Sequence, residues 1–356
     1  MEVTAANIKE LIRKNFEAQL SEQKGTWAPG MQRKSDLDDL LHFYRNSFAR
    51  GIVEFSEAER KATPMRPYPF TQGGFYPRWF LTEYLYSRLT AKRREKMYRR
   101  DFDILHAAGI KFPPFNPEHS DLYYNFDGSA FNFEMRKFGI DIALMKQYIR
   151  PSVERGSTEA SRPNVRPSVE RGSTEASRPN VRKDIKNICE IGAGYGGMCE
   201  MLAVNQPFDR YLIIDLFETL CVSMTYLRNS PTLKEFRFFY IESTNDLKDI
   251  PPRSIAFVSY KTFHQISEAL KKFPLELFIN ISSFVEMGPT IVGEYFDFIQ
   301  SYQDIYLFSA NNMMRSEQGD NFSAYDFPYD NNWKHLCEVP HSHLQSELSR
   351  FSHRKG

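Results

Sequence analysis

The chain is 356 residues long, enough for roughly two domains of ~150 residues each. Lys and Arg number 46 against 45 Asp and Glu, so a formal net charge of +1 supplies no global field toward nucleic acid or anionic lipid. Hydrophobic residues at 41% exclude wholesale disorder, and no apolar run reaches the ~18 residues needed to cross a bilayer.

Within that frame the 30 Phe and 19 Tyr point to aromatic packing or a ring-binding cleft. The longest oily stretch, Tyr211 to Met224, is broken by Asp215 and Glu218. The opening residues MEVTAANIKELIRK have no apolar signal core, which predicts a cytoplasmic protein. Cys189, Cys199, Cys221 and Cys337 show no framework spacing and read as reduced thiols.

The first half, residues 1–149, reads as mostly helical. Asn7 with Glu10 fits a capping box ahead of Ile8, Leu11, Ile12 and Phe16 at helical spacing. A second amphipathic helix is predicted over 36–50, ended by Gly51, and the Pro- and Gly-punctuated stretch 64–77 predicts a long loop. Helical patterning resumes at Trp79 and runs to about Ala108, and a further helix is predicted over 133–149. The basic run Lys92–Arg100 is best read as a solvated helix face, the sharper reading being a contact for a pyrophosphate-linked sugar or an anionic lipid carrier.

Residues 150–165 read RPSVERGSTEASRPNV, and 166–181 repeat the string without a change. Solenoid repeats carry apolar positions that stack on their neighbours, and this unit offers only Val and Ala. Such a segment buries too little surface to offset its ordering entropy, so 150–182 is predicted to be a disordered linker.

From residue 183 the rhythm changes to short β-rich runs alternating with helices. Strands are predicted at 187–191, 211–216, 236–241, 255–260, 275–281 and 305–309, and the main helices reach about 204 and 228 or span 262–272 and 290–302. This spacing implies parallel βαβ units in an open sheet with right-handed crossovers.

The strongest chemical text is CEIGAGYGG, 189–197, placed after the first strand of this half and before its first helix. Gly192, Gly194 and Gly197 spell the dinucleotide fingerprint G-x-G-x-x-G. Glu190, Gly192, Gly194 and Gly196 spell E-x-G-x-G-x-G, the first motif of S-adenosylmethionine methyltransferases. A pyrophosphate wants bare helix N–H groups and no carboxylate alongside. The methionine end of S-adenosylmethionine carries an ammonium and a sulfonium, so Glu190 favours the methyl donor. Asp215 ends the second strand, where a carboxylate accepts hydrogen bonds from ribose hydroxyls of either ligand.

The second half resembles the sugar O-methyltransferases of bacterial polysaccharide clusters, a branch of the class I S-adenosylmethionine-dependent methyltransferases. The resemblance is carried by EIGAGYGG (190–197), IIDLFETL (213–220), INISSFVEM (279–287) and EYFDFI (294–299), over about 183–312. Phe217 stands where the family tends to have proline, and the duplicated insertion is not a family feature. The resemblance implies a Rossmann-like class I methyltransferase sheet, and the mostly helical first half is read as a domain that caps the cleft and contributes acceptor specificity. It also implies methyl transfer to a sugar hydroxyl on a nucleotide- or lipid-linked glycan precursor. Glu190, Gly192, Gly194, Tyr195, Gly196, Asp215 and Asn280 are the expected cofactor contacts. The text after Ser309 carries no clear signal for the antiparallel strands that usually close such a sheet.

On the acceptor side Asn280, Ser282, Ser283 and Glu286 follow the strand ending near 281, and Glu286 is the preferred general base. The bland alternative is a helix-start acid. His264 is the second candidate, weighed against a surface or capping histidine. His335, Cys337, His341 and His343 lack the tight pairing of zinc ligands, so no metal is expected there. The stretch 319–333 mixes acids, amides and rings, either a sugar grip or an aromatic turn. The rival functions are an NAD(P)-dependent oxidoreductase using the same loop and a non-catalytic scaffold of a glycan-assembly complex.

Overall fold

The computed structural model describes residues 2–4, 7, 91–115, 123–149, 185–313, 322–340 and 347–355, without the side chains of 91–94 and 218. The elements expected at 8–16, 36–50, 64–77 and 79–89, the repeat 150–181, and His341 and His343 lie outside the described residues.

Helix α1 (Ala91–Ala107) is followed by a hairpin of β1 (Tyr124–Phe126) and β2 (Ser129–Phe131), and then by α2 (Phe133–Met145). The hairpin was not anticipated. Its turn is Asp127-Gly128, both residues at positive φ (54° and 82°), the pairing a tight two-residue hairpin demands. Asn132 caps α2 by accepting the Met135 N–H at 2.8 Å. Near the amino terminus Thr4 and Asn7 bond reciprocally, the Thr4 N–H donating to Asn7 Oδ1 at 2.7 Å and the Asn7 N–H to Thr4 Oγ1 at 3.2 Å.

The second half alternates as read: β3 (Asn187–Ile191), α3 (Gly197–Asn205), β4 (Arg210–Asp215), α4 (Phe217–Asn229), β5 (Arg237–Ile241), β6 (Ser254–Ser259), α5 (Tyr260–Leu270), β7 (Leu277–Ile281), α6 (Pro289–Gln300) and β8 (Ile305–Asn312). Two further strands follow, β9 (Trp333–Pro340) and β10 (Glu347–Arg354). All ten form two sheets, the small hairpin and an eight-stranded sheet in the order β5-β6-β4-β3-β7-β8-β10-β9. Strands β3 to β8 are parallel, and β10 runs antiparallel to both β8 and β9. The fold is a doubly wound, mostly parallel α/β sheet of Rossmann-like form.

The parallel strands are near-continuously apolar because both faces are covered. One face, with Ile188, Ile213, Phe257, Ile279 and Phe308, shares a single buried cluster with α1, α2, α3 and α4. The other, with Ile191, Leu212, Val258, Phe278 and Leu307, packs under α5 and α6. Helix α2 thus belongs to the core of the sheet, and the buried Arg136–Asp101 ion pair (2.7 Å) fastens α1 to it.

The closing hairpin β9–β10 corrects the expectation of a strand-poor tail. Strand β10 reads ELSRFSHR and yet is buried from Glu347 to His353. Its polar side chains find partners: Arg350 meets Glu338 at 2.9 Å, His353 meets Asp304 at 2.8 Å, and Ser352 meets His335 at 2.8 Å. A polar strand satisfied by neighbours gives no hydrophobic alternation to read.

Candidate active site

From β3 the chain moves out through β4 to the edge strand β5, comes back one place to β6, and then crosses to β7 on the other side of β3. The β3–β7 boundary is therefore the topological switch point, and ligands in such sheets bind in the crevice beyond the carboxyl ends there. Four stretches meet at this edge: the glycine loop after β3, Asp215 at the end of β4, Ser259 at the end of β6, and Asn280–Glu286 from the end of β7 onward.

The loop after β3 is built by close backbone approaches. Gly192 has φ +73°, and a Cβ there would lie 2.0 Å from the Ser283 hydroxyl oxygen. No side chain fits. Gly194 has φ +58°, but no described atom lies within 4 Å of its would-be Cβ, so this residue faces open space. Its N–H donates to Asp215 Oδ2 at 3.1 Å, and the Leu216 N–H donates to Oδ1 at 2.7 Å. Burial pushes the Asp215 carboxyl up to about 7, the two backbone donors oppose that shift, and the nearby Glu286 charge adds to it.

The remaining predicted residues divide. Glu190 is 2% exposed beneath the loop and accepts the Tyr211 hydroxyl at 2.8 Å. Burial raises its carboxyl to about 8, against the pull of that hydrogen bond. Gly196, at φ +92°, starts α3 and packs against Leu227 of α4. Tyr195 curls back over Gly197 and meets Tyr226 edge-on at 4.9 Å. Its ring therefore joins the packing between the loop and the helices.

Asn280 is fully buried with its hydrogen-bonding capacity filled. Nδ2 donates to Ile191 O (2.8 Å) and Ser283 Oγ (2.5 Å), and Oδ1 accepts from Phe284 N (3.2 Å) and Asn311 Nδ2 (2.8 Å). It fastens the ends of β3, β7 and β8 together.

Glu286 is exposed at the end of the short 3-10 turn Phe284–Glu286, and its charge is felt by Asp215. His264 lies one turn into α5, its ring 4.3 Å from that of Tyr260 and Nε2 3.6 Å from Glu294. Those partners are on α5 and α6. In the aromatic stretch, Phe327 packs on Phe284 and Phe296, and Tyr329 meets Trp333 and His335, so the described part is largely a seal over α6. Only Tyr325, 59% exposed, offers a large ring to solvent there. His335 and Cys337 lie on β9, and among the described residues no three His, Cys, Asp or Glu side chains are grouped for a metal. In the basic run, Arg99 is engaged by Asp103 (3.0 Å) and Asp127 (2.7 Å).

Two residues of this edge escaped the sequence. Lys137 of α2 reaches Ser282 Oγ at 2.6 Å and Glu347 Oε1 at 2.9 Å. Nothing in their local text marks either charge as part of the cleft.

No family model matches the chain, and no curated protein matches it. Solved structures similar to it include mitomycin 7-O-methyltransferase MmcR, with 11% identity over 48% of this chain and 49% of that one, TM-score 0.33. TomG of Streptomyces achromogenes, an O-methyltransferase involved in tomaymycin synthesis and solved with SAM, has 12% identity over 49% of this chain and 74% of its own, TM-score 0.30. An rRNA methylase of Streptococcus thermophilus has 12% identity over 49% of this chain and 89% of its own, TM-score 0.31. The chain spans 49%, 51% and 62% of the first three solved chains it matches. Among the described residues no helix is long and apolar enough to cross a membrane.

Proposed function

We propose that this protein is an S-adenosylmethionine-dependent O-methyltransferase whose acceptor is a sugar hydroxyl. The observation that carries the cofactor reading is the buried Glu190 carboxyl at the end of β3, directly under the glycine loop. An acid there suits a cationic ligand and opposes a pyrophosphate, whereas Asp215, fastened to the Gly194 N–H, suits the ribose of either ligand. Ser283, pressed onto Gly192, narrows the same approach. A ligand with hydroxyls and positive charge suits this edge, and a pyrophosphate does not.

In this reading Asp215 receives the ribose hydroxyls, and the backbone at Gly194 lies against the nucleoside. Glu190 sits below the loop and compensates the cationic methionine end. A cation above it favours the charged carboxylate, so binding releases a proton near neutral pH. When bound, the cofactor supplies an activated methyl group for in-line displacement. The chain's own task is to hold the acceptor oxygen in line and to take its proton, and Glu286 is the proposed base. His264 is the reserve candidate.

The sugar acceptor, nucleotide- or lipid-linked and part of surface polysaccharide synthesis, rests on the resemblance of the SSFVEM segment, which forms the β7 side of the cleft. In the same proposal residues 1–149 supply acceptor specificity, 150–182 form a linker, 183–356 carry the chemistry, and the protein works in the cytoplasm.

Glu286→Gln tests the base. It keeps shape but takes no proton, so turnover should fall ~10²–10⁴-fold at unchanged cofactor affinity, measured with labelled methyl donor and a panel of nucleotide sugars. Normal turnover at saturating sugar ends the Glu286 assignment.

A further inference from the structure

Ser282, the first residue after β7, has φ +57°, a left-handed conformation rare outside glycine, asparagine and aspartate. A serine held there is over-determined by its surroundings. Its N–H donates to Ala310 O at 2.8 Å, and its hydroxyl lies between two opposite charges. Lys137 Nζ donates to Ser282 Oγ at 2.6 Å, Ser282 Oγ donates to Glu347 Oε1 at 3.0 Å, and Lys137 and Glu347 meet at 2.9 Å. The Lys137 and Glu347 side chains are only 12% and 10% exposed, so neither is an ordinary surface charge.

The three residues come from three elements: Lys137 from α2, Ser282 from the end of β7, and Glu347 from the start of β10. The next residue, Ser283, is the one whose hydroxyl occupies the space a Cβ on Gly192 would need, 2.0 Å away. Ser283 Oγ also donates to Ile191 O at 3.2 Å and accepts from Asn280 at 2.5 Å. The direction in which Ser283 leaves the strand is set by the backbone of Ser282. A continuous set of contacts therefore runs from α2 through Lys137, Ser282 and Ser283 to the first glycine of the loop.

We propose that Lys137 and Glu347 are positioning residues of the glycine loop: by holding Ser282 in its left-handed turn they press Ser283 onto Gly192 and make the loop's shape depend on the docking of α2. The inference rests on the proposed cofactor site for its functional meaning, and on the loop alone for its geometry. Coupling of this kind is reciprocal. If docked α2 favours the loop shape that binds the cofactor, bound cofactor tightens α2 in turn.

The test uses the full chain with Lys137→Met, Glu347→Gln and the double change, each also in a Ser282→Gly background. Two readouts are taken: amide exchange at Gly192, Gly194 and Gly196 without ligand, and calorimetric titration with S-adenosylhomocysteine. Lys137→Met should speed loop exchange and weaken S-adenosylhomocysteine by ~10-fold, the scale of holding one non-glycine residue left-handed, and Glu347→Gln, which leaves Ser282 an acceptor but removes the charge that anchors Lys137, should do both to a smaller extent. Glycine adopts that turn unaided, so in the Ser282→Gly background Lys137→Met should add nothing. In the parent chain, S-adenosylhomocysteine should slow exchange along α2.

A lower melting temperature with loop exchange unchanged overturns the proposal, because a merely structural ion pair predicts just that. Equal effects of Lys137→Met in the serine and glycine backgrounds overturn it too. Failure of the parent chain to bind S-adenosylhomocysteine counts against the cofactor reading, while the exchange data still decide the positioning. Glu347→Gln retains a hydrogen-bond partner for Ser282 and keeps the series informative if Lys137→Met folds poorly.

Discussion

The parallel body of the sheet and its closing hairpin are held together by different physics. Strands β3 to β8 bury aliphatic and aromatic side chains on both faces, with Phe257, Phe278 and Phe308 at 0% exposure. Strand β10 is as deeply buried but carries Glu347 and Arg350, each met by an opposite charge on another element, and His353, whose ring meets the Asp304 carboxylate. The first region is stable wherever its volume is filled. The second is stable only while its partners are in register, and it is this region that reaches Ser282, at the end of β7, through Glu347.

The largest effect should come from pH, because acids lie beneath both regions. Burial pushes Glu190 and Asp141 up to about 8 and Asp215 to about 7, whereas unfolded carboxyls titrate near 4. The folded state therefore binds more protons than the unfolded state across this window, and stability falls as pH rises through 7 and 8. His335, whose pKa burial lowers, opposes the trend only at lower pH. Melting temperature should drop between pH 6.5 and 8, and Glu190→Gln should flatten the slope. A rising melting temperature in that range contradicts the burial of these acids.

Next in size is the body of the sheet. Phe278→Ala removes a fully buried ring packed against Phe298 and Tyr302 and should cost ~3–5 kcal/mol in urea unfolding. In the hairpin, Arg350→Met removes the bond to Glu338 and one to Ala324 O and should cost ~2 kcal/mol. Methionine fills much of the same volume, so an equal or larger loss than Phe278→Ala would mean that the charge contact, rather than packing, dominates the sheet. A negligible loss would make the hairpin ion pairs ornamental.

The same contrast explains what was legible in the sequence. The βαβ body was readable because runs such as NICEI and YLIID are dominated by Ile, Leu and other apolar residues, and the glycine loop because left-handed backbone and close approach admit few residue types. Asp215 followed from its place at a strand end. The hairpin strands were not readable, since the polar residues of ELSRFSHR are satisfied in the interior by distant partners such as Lys137, Asp304, His335 and Glu338. Lys137 and Glu347 were not readable either, being 145 and 65 residues from Ser282 with no local pattern to join them. For Asn280 and Tyr195 the text gives a place beside the glycine loop but not the direction of the side chain, which in Asn280 ties Ile191 to Ser283 and in Tyr195 meets Tyr226.

The central claim is that the edge shaped by Gly192, Gly194 and Asp215 holds a methyl donor. Calorimetry of the full chain with S-adenosylhomocysteine and, separately, NADH tests it most directly, repeated on Asp215→Ala. Binding of S-adenosylhomocysteine alone is predicted, weakened by ~1.5–3 kcal/mol in the variant as hydrogen bonds to a charged group are lost. Preferential binding of NADH, or an S-adenosylhomocysteine affinity indifferent to Asp215, would contradict it.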